Sequence, residues 1–432
     1  MFTPVSQKMN SEAKATYKTL DKESIPGYLS SLPSVVSLLG DCTNIDISEI
    51  GDGNLNFVYR VSSSADPSKS VILKQAVPYL RMVGEEWPLS RDRMTFEIRA
   101  LKQYNNLTPD LVPEIYHADE EMSVLVMQCL DDHIILRQGM IDGIVYPHLA
   151  EHVGRFLAET LFHTSIFGMN SIDRRELMDN FLLNTELCKL TEDFIFTFPY
   201  MEHESNYSNP TTDSWSRENL HTNTAYKLAV LQLKEKFMTK SDALLHADLH
   251  TGSIMVNTKE SYVIDMEFAY FGPFGFDLGK IFANFLLCHT AHYAIGDDTS
   301  YQAWLLDESF RIWEVFVSRF IELWKDHGES AILTDGMLNE AELEAYQSAF
   351  MQEMMRDAVG FAACSLARRS VGIAGVADIR DIDDAEVRAE LEITNLKLSI
   401  ALMSAHDSIN SIDDVSSLVR SFYSKCSFNF QG

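Results

Sequence analysis

LLHADLHTGSIMVNTKESYVIDMEFAYFGPFGFD, residues 244–277, places two carboxylate clusters inside strand-like apolar text. Asp248 sits in His-Ala-Asp-Leu-His, and Asp265 and Glu267 sit in Ile-Asp-Met-Glu-Phe, the two aspartates 17 positions apart. Between them the text reads as a loop, a short apolar strand (Ile254 to Val256), a turn (Asn257 to Ser261) and a second strand (Tyr262 to Ile264). A hairpin of that size folds back on itself, which predicts that Asp248 comes near the Asp265/Glu267 pair. One carboxylate beside an acceptor hydroxyl and another on magnesium is what kinase-type phosphoryl transfer requires. Period-2 alternation would put Asp265 and Glu267 on the same side of an extended segment, where both reach one or two Mg²⁺ ions.

The histidines flanking Asp248 allow a zinc reading of HxDxH, because His and Asp ligate zinc. The downstream pair is all carboxylate, however, and hard oxygen donors suit Mg²⁺. His246 and His250 therefore read as histidines that pack the loop. Asp277, in Gly-Phe-Asp-Leu-Gly, reads as an acceptor tying the loop down.

Upstream the text is of a different kind. Strand patterns cover Ile45–Ile50, Phe57–Val61, Val71–Leu73, Val112–His117 and Val124–Cys129, and Ser90–Tyr104 carries a helical stripe. From Pro147 onward helices dominate, with further helical patterns at 303–325, 339–371 and 383–404. The switch near residue 130 predicts an α+β chain of two parts, residues 1–129 and 130–432. In the first, Gly51-Asp52-Gly53-Asn54-Leu55-Asn56 joins two strands. It serves either as a glycine loop whose N–H groups approach phosphates or as a simple hairpin turn. Lys74 closes the Val-Ile-Leu-Lys strand, where a kinase lysine would meet nucleotide phosphates and a helix glutamate. Glu97 is the candidate partner, in competition with Glu85, Glu86 and Asp92. Met127-Gln128-Cys129-Leu130 ends the last strand, either offering backbone groups to an adenine edge or simply connecting the two parts. Arg368-Arg369 lies in a largely apolar helix, where a guanidinium pair is unusual. It reads either as internal salt bridges or as cations aimed at a phosphoryl group or polar substrate.

Composition bounds the class. With 46% hydrophobic and 11% aromatic residues, the 432-residue chain can bury more than one core. A net charge of −28 argues against nucleic acid as a partner, since affinity for phosphate backbones comes from Lys and Arg. No run of about 18 apolar residues predicts a membrane span, the N-terminal text lacks the apolar core of a secretion signal, and six scattered cysteines read as reduced thiols. A cytoplasmic location is the expectation.

GDGNLNF, the Lys74 strand, PYLRMVGEEWPL (78–89), DDHIILR (131–137), LFHTS (161–165), HADLHTGSI, DMEFAYFGPFGFDLG and ARRSVG together resemble the 5-methylthioribose kinases, over about residues 50–380. The resemblance implies a protein-kinase-like two-lobe fold, with a small β-rich N-terminal lobe and a large, mainly helical C-terminal lobe. It implies transfer from ATP to the anomeric hydroxyl of 5-methylthio-D-ribose within methionine salvage, with Mg²⁺ as cofactor and a homodimer as the assembly. By the same resemblance Asp248 is catalytic and substrate-binding, and Arg368 and Arg369 contact the sugar substrate. Gly51, Gly53, Asn54, Asn56 and Lys74 contact the nucleotide, Gln128, Cys129 and Leu130 form the adenine hinge, and Asp265-Met266-Glu267 holds Mg²⁺–ATP with both acids on the metal. Trp87 resembles the tryptophan of a family loop. Three places differ from related patterns. Ala247 replaces the usual glycine, and its methyl requires φ below zero. Gln128-Cys129 replaces Glu-Asp. Ser253 stands where protein kinases place a metal-binding asparagine, which makes Glu267 the second metal carboxylate. Related small-molecule kinases acting on an aminoglycoside, choline or homoserine are the nearest alternative, and a silent nucleotide-binding relative is the alternative from another class.

Overall fold

The computed structural model describes residues 17–51, 55–81, 84–206, 209–296, 298–327 and 330–428. The chain divides into two compact units, Met1–Lys102 with Pro113–Cys129, and Gln103–Val112 with Leu130–Gly432.

The first unit is built on a five-stranded antiparallel sheet of Ile45–Glu49, Asn56–Ser63, Ser70–Ala76, Ile115–Asp119 and Val124–Gln128. The last strand by sequence inserts beside Ser70–Ala76, and Ile115–Asp119 takes the edge. All five strand patterns form. The fourth starts three residues later than its apolar text, because pairing to Gln128 begins only at Glu114, beyond Pro113. Alternation puts Tyr59, Val61, Val71, Leu73, Val124 and Val126 on one face, where the short helices Ile25–Ser30 and Pro33–Leu39 cover them with Ile25, Leu29, Val35 and Leu39. Gln75 is fully buried yet satisfied: its Oε1 accepts from Leu20 N–H (2.7 Å), and its Nε2 donates to Lys18 O and Met122 O.

The second unit is helical around a three-stranded sheet, edged by Ile134–Ile135, and a two-stranded one, and two strand pairs within them explain the 244–277 stretch. Ala243–Leu245 pairs with Tyr270–Gly272, and nested inside it Ile254–Val256 pairs with Ser261–Val263. The inner turn is closed by Asn257, whose Oδ1 accepts from the N–H groups of Lys259 and Glu260. Two gaps remain between the nested pairs, residues 246–253 and 264–269, and each holds one carboxylate cluster. The inner hairpin follows from the sequence pattern. The outer pair does not, because its strands are three residues each and apolar throughout.

Directly after the outer pair, Phe274 and Phe276 anchor the helix Gly275–Ile295. Phe274 meets Phe167, Phe320 and Phe350, and Phe276 meets Phe196, Phe237 and Phe361. Burying a phenylalanine contributes about 1.5–3 kcal/mol, so these rings fix where the helix starts. The helix lies close against Glu340–Val371. A Cβ at Gly279 would stand 2.4 Å from Ala358 O, a distance only glycine avoids.

Candidate functional site

In the first unit, the side chain of Lys74 pairs with Glu97 at 2.7 Å, on the helix Asp92–Leu107. Glu97 therefore prevails over Glu85, Glu86 and Asp92. Both ends are buried, at 7% and 1% side-chain exposure. Asn56 opens its strand with its side chain buried, and Arg93 Nε donates to its Oδ1 (2.9 Å). Arg93 also donates to the carbonyls of Leu55, Val77 and Ser90, clamping the strand that leaves the glycine segment. Sequence reasoning missed Arg93; its one visible signal is an arginine on the buried stripe of that helix. Gly51 is exposed, whereas Gly53 and Asn54 lie outside the described residues. Gln128 clasps Glu114, exchanging N–H to carbonyl (2.9 Å) and accepting Glu114 N–H on Oε1 (3.2 Å). Cys129 is half-buried and ends the first unit; Leu130, buried, opens the longer segment of the second. Trp87 is 40% exposed on a strand paired with Tyr79–Leu80.

In the second unit, Asp277 organises the loop carrying Asp248. It is buried, and its two oxygens accept the N–H groups of His246 (2.8 Å) and Ala247 (3.0 Å). This is the tying role its position implied. Ala247 does not keep φ below zero. Its φ is +65°, in the left-handed region, where a β-carbon costs about 1–2 kcal/mol. The reason is visible: Asp277 holds its N–H while Lys280 Nζ donates to its carbonyl (3.1 Å), so the peptides on both sides are fixed. Ser253 Oγ closes the loop, donating to Asp248 O (3.0 Å) and accepting from His250 N–H (2.8 Å).

Both histidines are wired within this loop. His246 accepts Asp248 N–H on Nδ1 (3.2 Å) and donates from Nε2 to Ile264 O (2.8 Å), so it links the two carboxylate gaps directly. Ile264 N–H to Ser253 O (3.0 Å) adds a second link. His250 accepts Gly252 N–H on Nδ1 (2.9 Å), which leaves its proton on Nε2, 3.4 Å from Asp248 Oδ2. Burial pushes His250 down to about 3 despite Asp248, so the ring is neutral at ordinary pH.

Asp248 itself is 19% exposed by side chain. Lys280 Nζ is ion-paired to its Oδ1. Burial alone would raise this carboxyl, but the Lys280 ammonium, with His250 and Arg368, outweighs burial and holds it well below the usual carboxylate range. With His250 neutral, Lys280 and Arg368 are the cations responsible. Arg368 and Arg369 stand in the last turn of the helix Glu340–Val371. Arg369 donates to Ala374 O (2.9 Å), and neither arginine forms a carboxylate ion pair among the described residues. The Nε of each is buried without a hydrogen-bond partner among the described residues. Burial pushes both guanidiniums down, and Arg369 also feels Arg368 and Arg137. Arg137, which its sequence context leaves without a role, places Nε 3.1 Å from Asp378 and Nη2 3.1 Å from Asn284 Oδ1.

The metal candidates are not on an extended strand. The inner strand ends at Val263, Asp265 has φ +70°, and Glu267 begins a turn. Period-2 alternation therefore does not account for their convergence, which occurs off the strand in a segment whose backbone is left-handed at Asp265. One oxygen from each lies within 4.8 Å of the other, a spacing at which both can bind one small cation. Two hard oxygen donors fit Mg²⁺ better than zinc. Met266 between them is buried, and Asn184 Nδ2 donates to Glu267 O and Ala269 O (both 2.9 Å), fixing the turn.

The sequence profile of the phosphotransferase enzyme family matches residues 46–308. Among curated proteins, methylthioribose kinase 1 of Oryza sativa subsp. japonica is 38% identical, over 94% of this chain and 96% of its own. A methylthioribose kinase of Geobacillus sp. (strain WCH70) is 39% identical, over 90% and 93%. Among solved structures, choline kinase from Cryptosporidium parvum Iowa II matches at 13% identity and a TM-score of 0.49, covering 93% of this chain and 100% of that one. With its β-sheet first unit and helical second unit, the chain belongs to the phosphotransferase enzyme family and, within it, to the methylthioribose kinases.

Proposed function

We propose that this chain transfers the γ-phosphoryl group of ATP to the anomeric hydroxyl of 5-methylthio-D-ribose, giving 5-methylthio-α-D-ribose 1-phosphate and ADP, a step of methionine salvage. The observation that carries this reading is the second unit's centre: a carboxylate kept ionised by Lys280, beside arginines whose buried Nε atoms have no hydrogen-bond partner among the described residues.

Asp248 orients the hydroxyl and accepts its proton as the new O–P bond forms and the bond to the ADP oxygen breaks. Arg368, with Arg369, faces the charge on the phosphoryl group and the sugar hydroxyls. Lys74 contacts the nucleotide phosphates, together with backbone N–H groups of the Gly51–Asn56 segment, in which Gly53 and Asn54 also lie. The main chain of Gln128, Cys129 and Leu130 meets the adenine edge, a role that the loss of Glu-Asp side chains there leaves untouched. Asp265 and Glu267 would hold Mg²⁺, with Met266 spacing them. Bound there, the ion would neutralise charge on the phosphate oxygens.

The four cations near Asp248 and Asp378 bear on the rival acceptors. An ammonium-bearing aminoglycoside, choline or homoserine would meet Lys280, Arg137, Arg368 and Arg369, an unfavourable field for a positive ligand. A neutral sugar meets no such penalty. The net charge of −28 disfavours nucleic acid as a partner, and no helix among the described residues is long and apolar enough to cross a membrane. A cytoplasmic homodimer completes the proposal. The test is ADP release with methylthioribose as the sole acceptor, run against choline, homoserine and an aminoglycoside. Release with methylthioribose alone is expected; nucleotide binding without acceptor-dependent release would favour a silent relative.

A further inference from the structure

Lys280 lies in the helix Gly275–Ile295 as its sole Lys or Arg, amid apolar neighbours. It is 2% exposed, so its ammonium is held out of water, which is costly unless the charge is well paired. Its ammonium lies 5.3 Å from the centre of the Phe276 ring, and its hydrogen-bond partners among the described residues are both in the loop before the inner hairpin: Oδ1 of Asp248 and the carbonyl of Ala247. The same helix supplies Asp277, whose carboxylate takes the two N–H groups just upstream. One helical turn thus grips the loop by an anion on its amides and by a cation on its carbonyl and its acid.

We infer that Lys280 is a positioning residue for phosphoryl transfer: it fixes Oδ1 of Asp248 and the left-handed Ala247 peptide, so that Oδ2 is the oxygen presented to the acceptor hydroxyl. His250 Nε2, at 3.4 Å, flanks Oδ2 as a neutral donor and leaves it a lone pair for that hydroxyl. The ammonium has a second consequence. A bare carboxylate beside a triphosphate repels it, and an adjacent cation offsets that repulsion without touching the phosphates. The inference rests on Asp248 being the group that accepts the hydroxyl proton.

The charged and titratable groups facing Lys280 come from every side. Asp248, His246 and His250 lie on the loop, Asp277 on its own helix, and Arg368 and Arg369 on the neighbouring helix; Arg137 and Asp378 lie beyond Arg369. Burial, with the two arginines and against Asp248, pushes Lys280 down to about 8. The pair is therefore charged on both sides at neutral pH. As pH falls, Asp248 loses its charge only well below the usual carboxylate range.

The experiment compares Lys280→Met, Lys280→Gln and Lys280→Arg with the wild type. For Met and Gln we expect kcat to fall about 100-fold, with KM for ATP moving less than about threefold. The acid limb of the kcat–pH profile should rise by roughly one to three units, the range an adjacent opposite charge controls. Lys280→Arg should restore most of the acid limb. A kcat within about threefold of wild type, or an acid limb that does not move, would overturn the inference and leave Lys280 a packing residue. Should Met fail to fold, the Gln–Arg contrast decides by the same criterion. Titration of the Asp248 carboxyl by ¹³C NMR needs no acceptor. If wild type releases no ADP with methylthioribose, the functional reading falls, while an upward carboxyl shift in Lys280→Gln still upholds the pairing and its absence refutes it.

Discussion

Each unit contains a buried lysine–carboxylate pair, and the two are built for different ends. Lys74–Glu97 joins a central strand to a helix, with both side chains almost fully enclosed. Lys280–Asp248 joins a helix to a loop, its acid is 19% exposed, and further cations stand around it. The closed pair joins strand to helix and, on the proposed reading, sets Lys74 for the nucleotide; breaking a buried pair by removing one partner is strongly destabilising. An open pair with surplus positive charge has capacity left for a substrate. Burial of a charge does not by itself mark an acceptor site; on the proposed reading, the unspent guanidinium nitrogens and the partly exposed acid distinguish the second pair.

The largest effect should come from breaking the open pair at its acid. Asp248→Ala is expected to cut turnover by about three to four orders of magnitude, while ATP binding persists. A coupled ADP assay together with nucleotide titration checks both halves, and turnover retained within tenfold would remove Asp248 from its proposed role.

The second effect separates the pairs by stability. Glu97→Ala takes the carboxylate from an ammonium buried to 7% exposure, and the expected loss is about 3–5 kcal/mol. Lys280→Met should cost less than half of that, because the remaining carboxylate is partly solvated and still feels Arg368. Urea denaturation of both variants measures the contrast. Equal losses would mean that the second pair is as structural as the first.

These two pairs also mark how far the sequence could be read. Lys74 and Glu97 are legible because the kinase pattern asks for a strand lysine and a helix glutamate, and short-range periodicity locates the strand and the helix that carry the candidates. The five-stranded sheet, the inner hairpin and the helical remainder are legible for the same reason. Lys280 is not: one lysine in Gly-Lys-Ile-Phe gives no hint of an acid 32 residues upstream, and its partner is fixed by the nested outer strands and the close helix crossing at Gly279. The signal at Arg368-Arg369, a cation in apolar helix text, is present at Lys280 as well. Strand alternation predicts the convergence of Asp265 and Glu267, yet the two converge beyond the strand, where Asp265 is left-handed; backbone handedness at a non-glycine residue leaves no mark in hydrophobic periodicity.

The smallest effect concerns the backbone beneath the open pair. Ala247 is 1% exposed with φ +65°, so its methyl is held in a region that glycine enters freely. Two opposing terms act on Ala247→Gly. Glycine removes strain of about 1–2 kcal/mol in the folded state, but it also widens the unfolded ensemble, which costs about 0.4–1 kcal/mol. The net expectation is a gain of roughly 0.5–1 kcal/mol, read as a shift in the denaturation midpoint at unchanged slope. Because Asp277 and Lys280 hold the flanking peptides whichever residue is present, kcat should stay within about twofold. A loss of stability would mean that the methyl's packing outweighs its strain. A gain in stability with a fall in kcat would mean that the strained peptide helps aim Asp248, and that the open pair depends on the backbone as much as on the Lys280 charge.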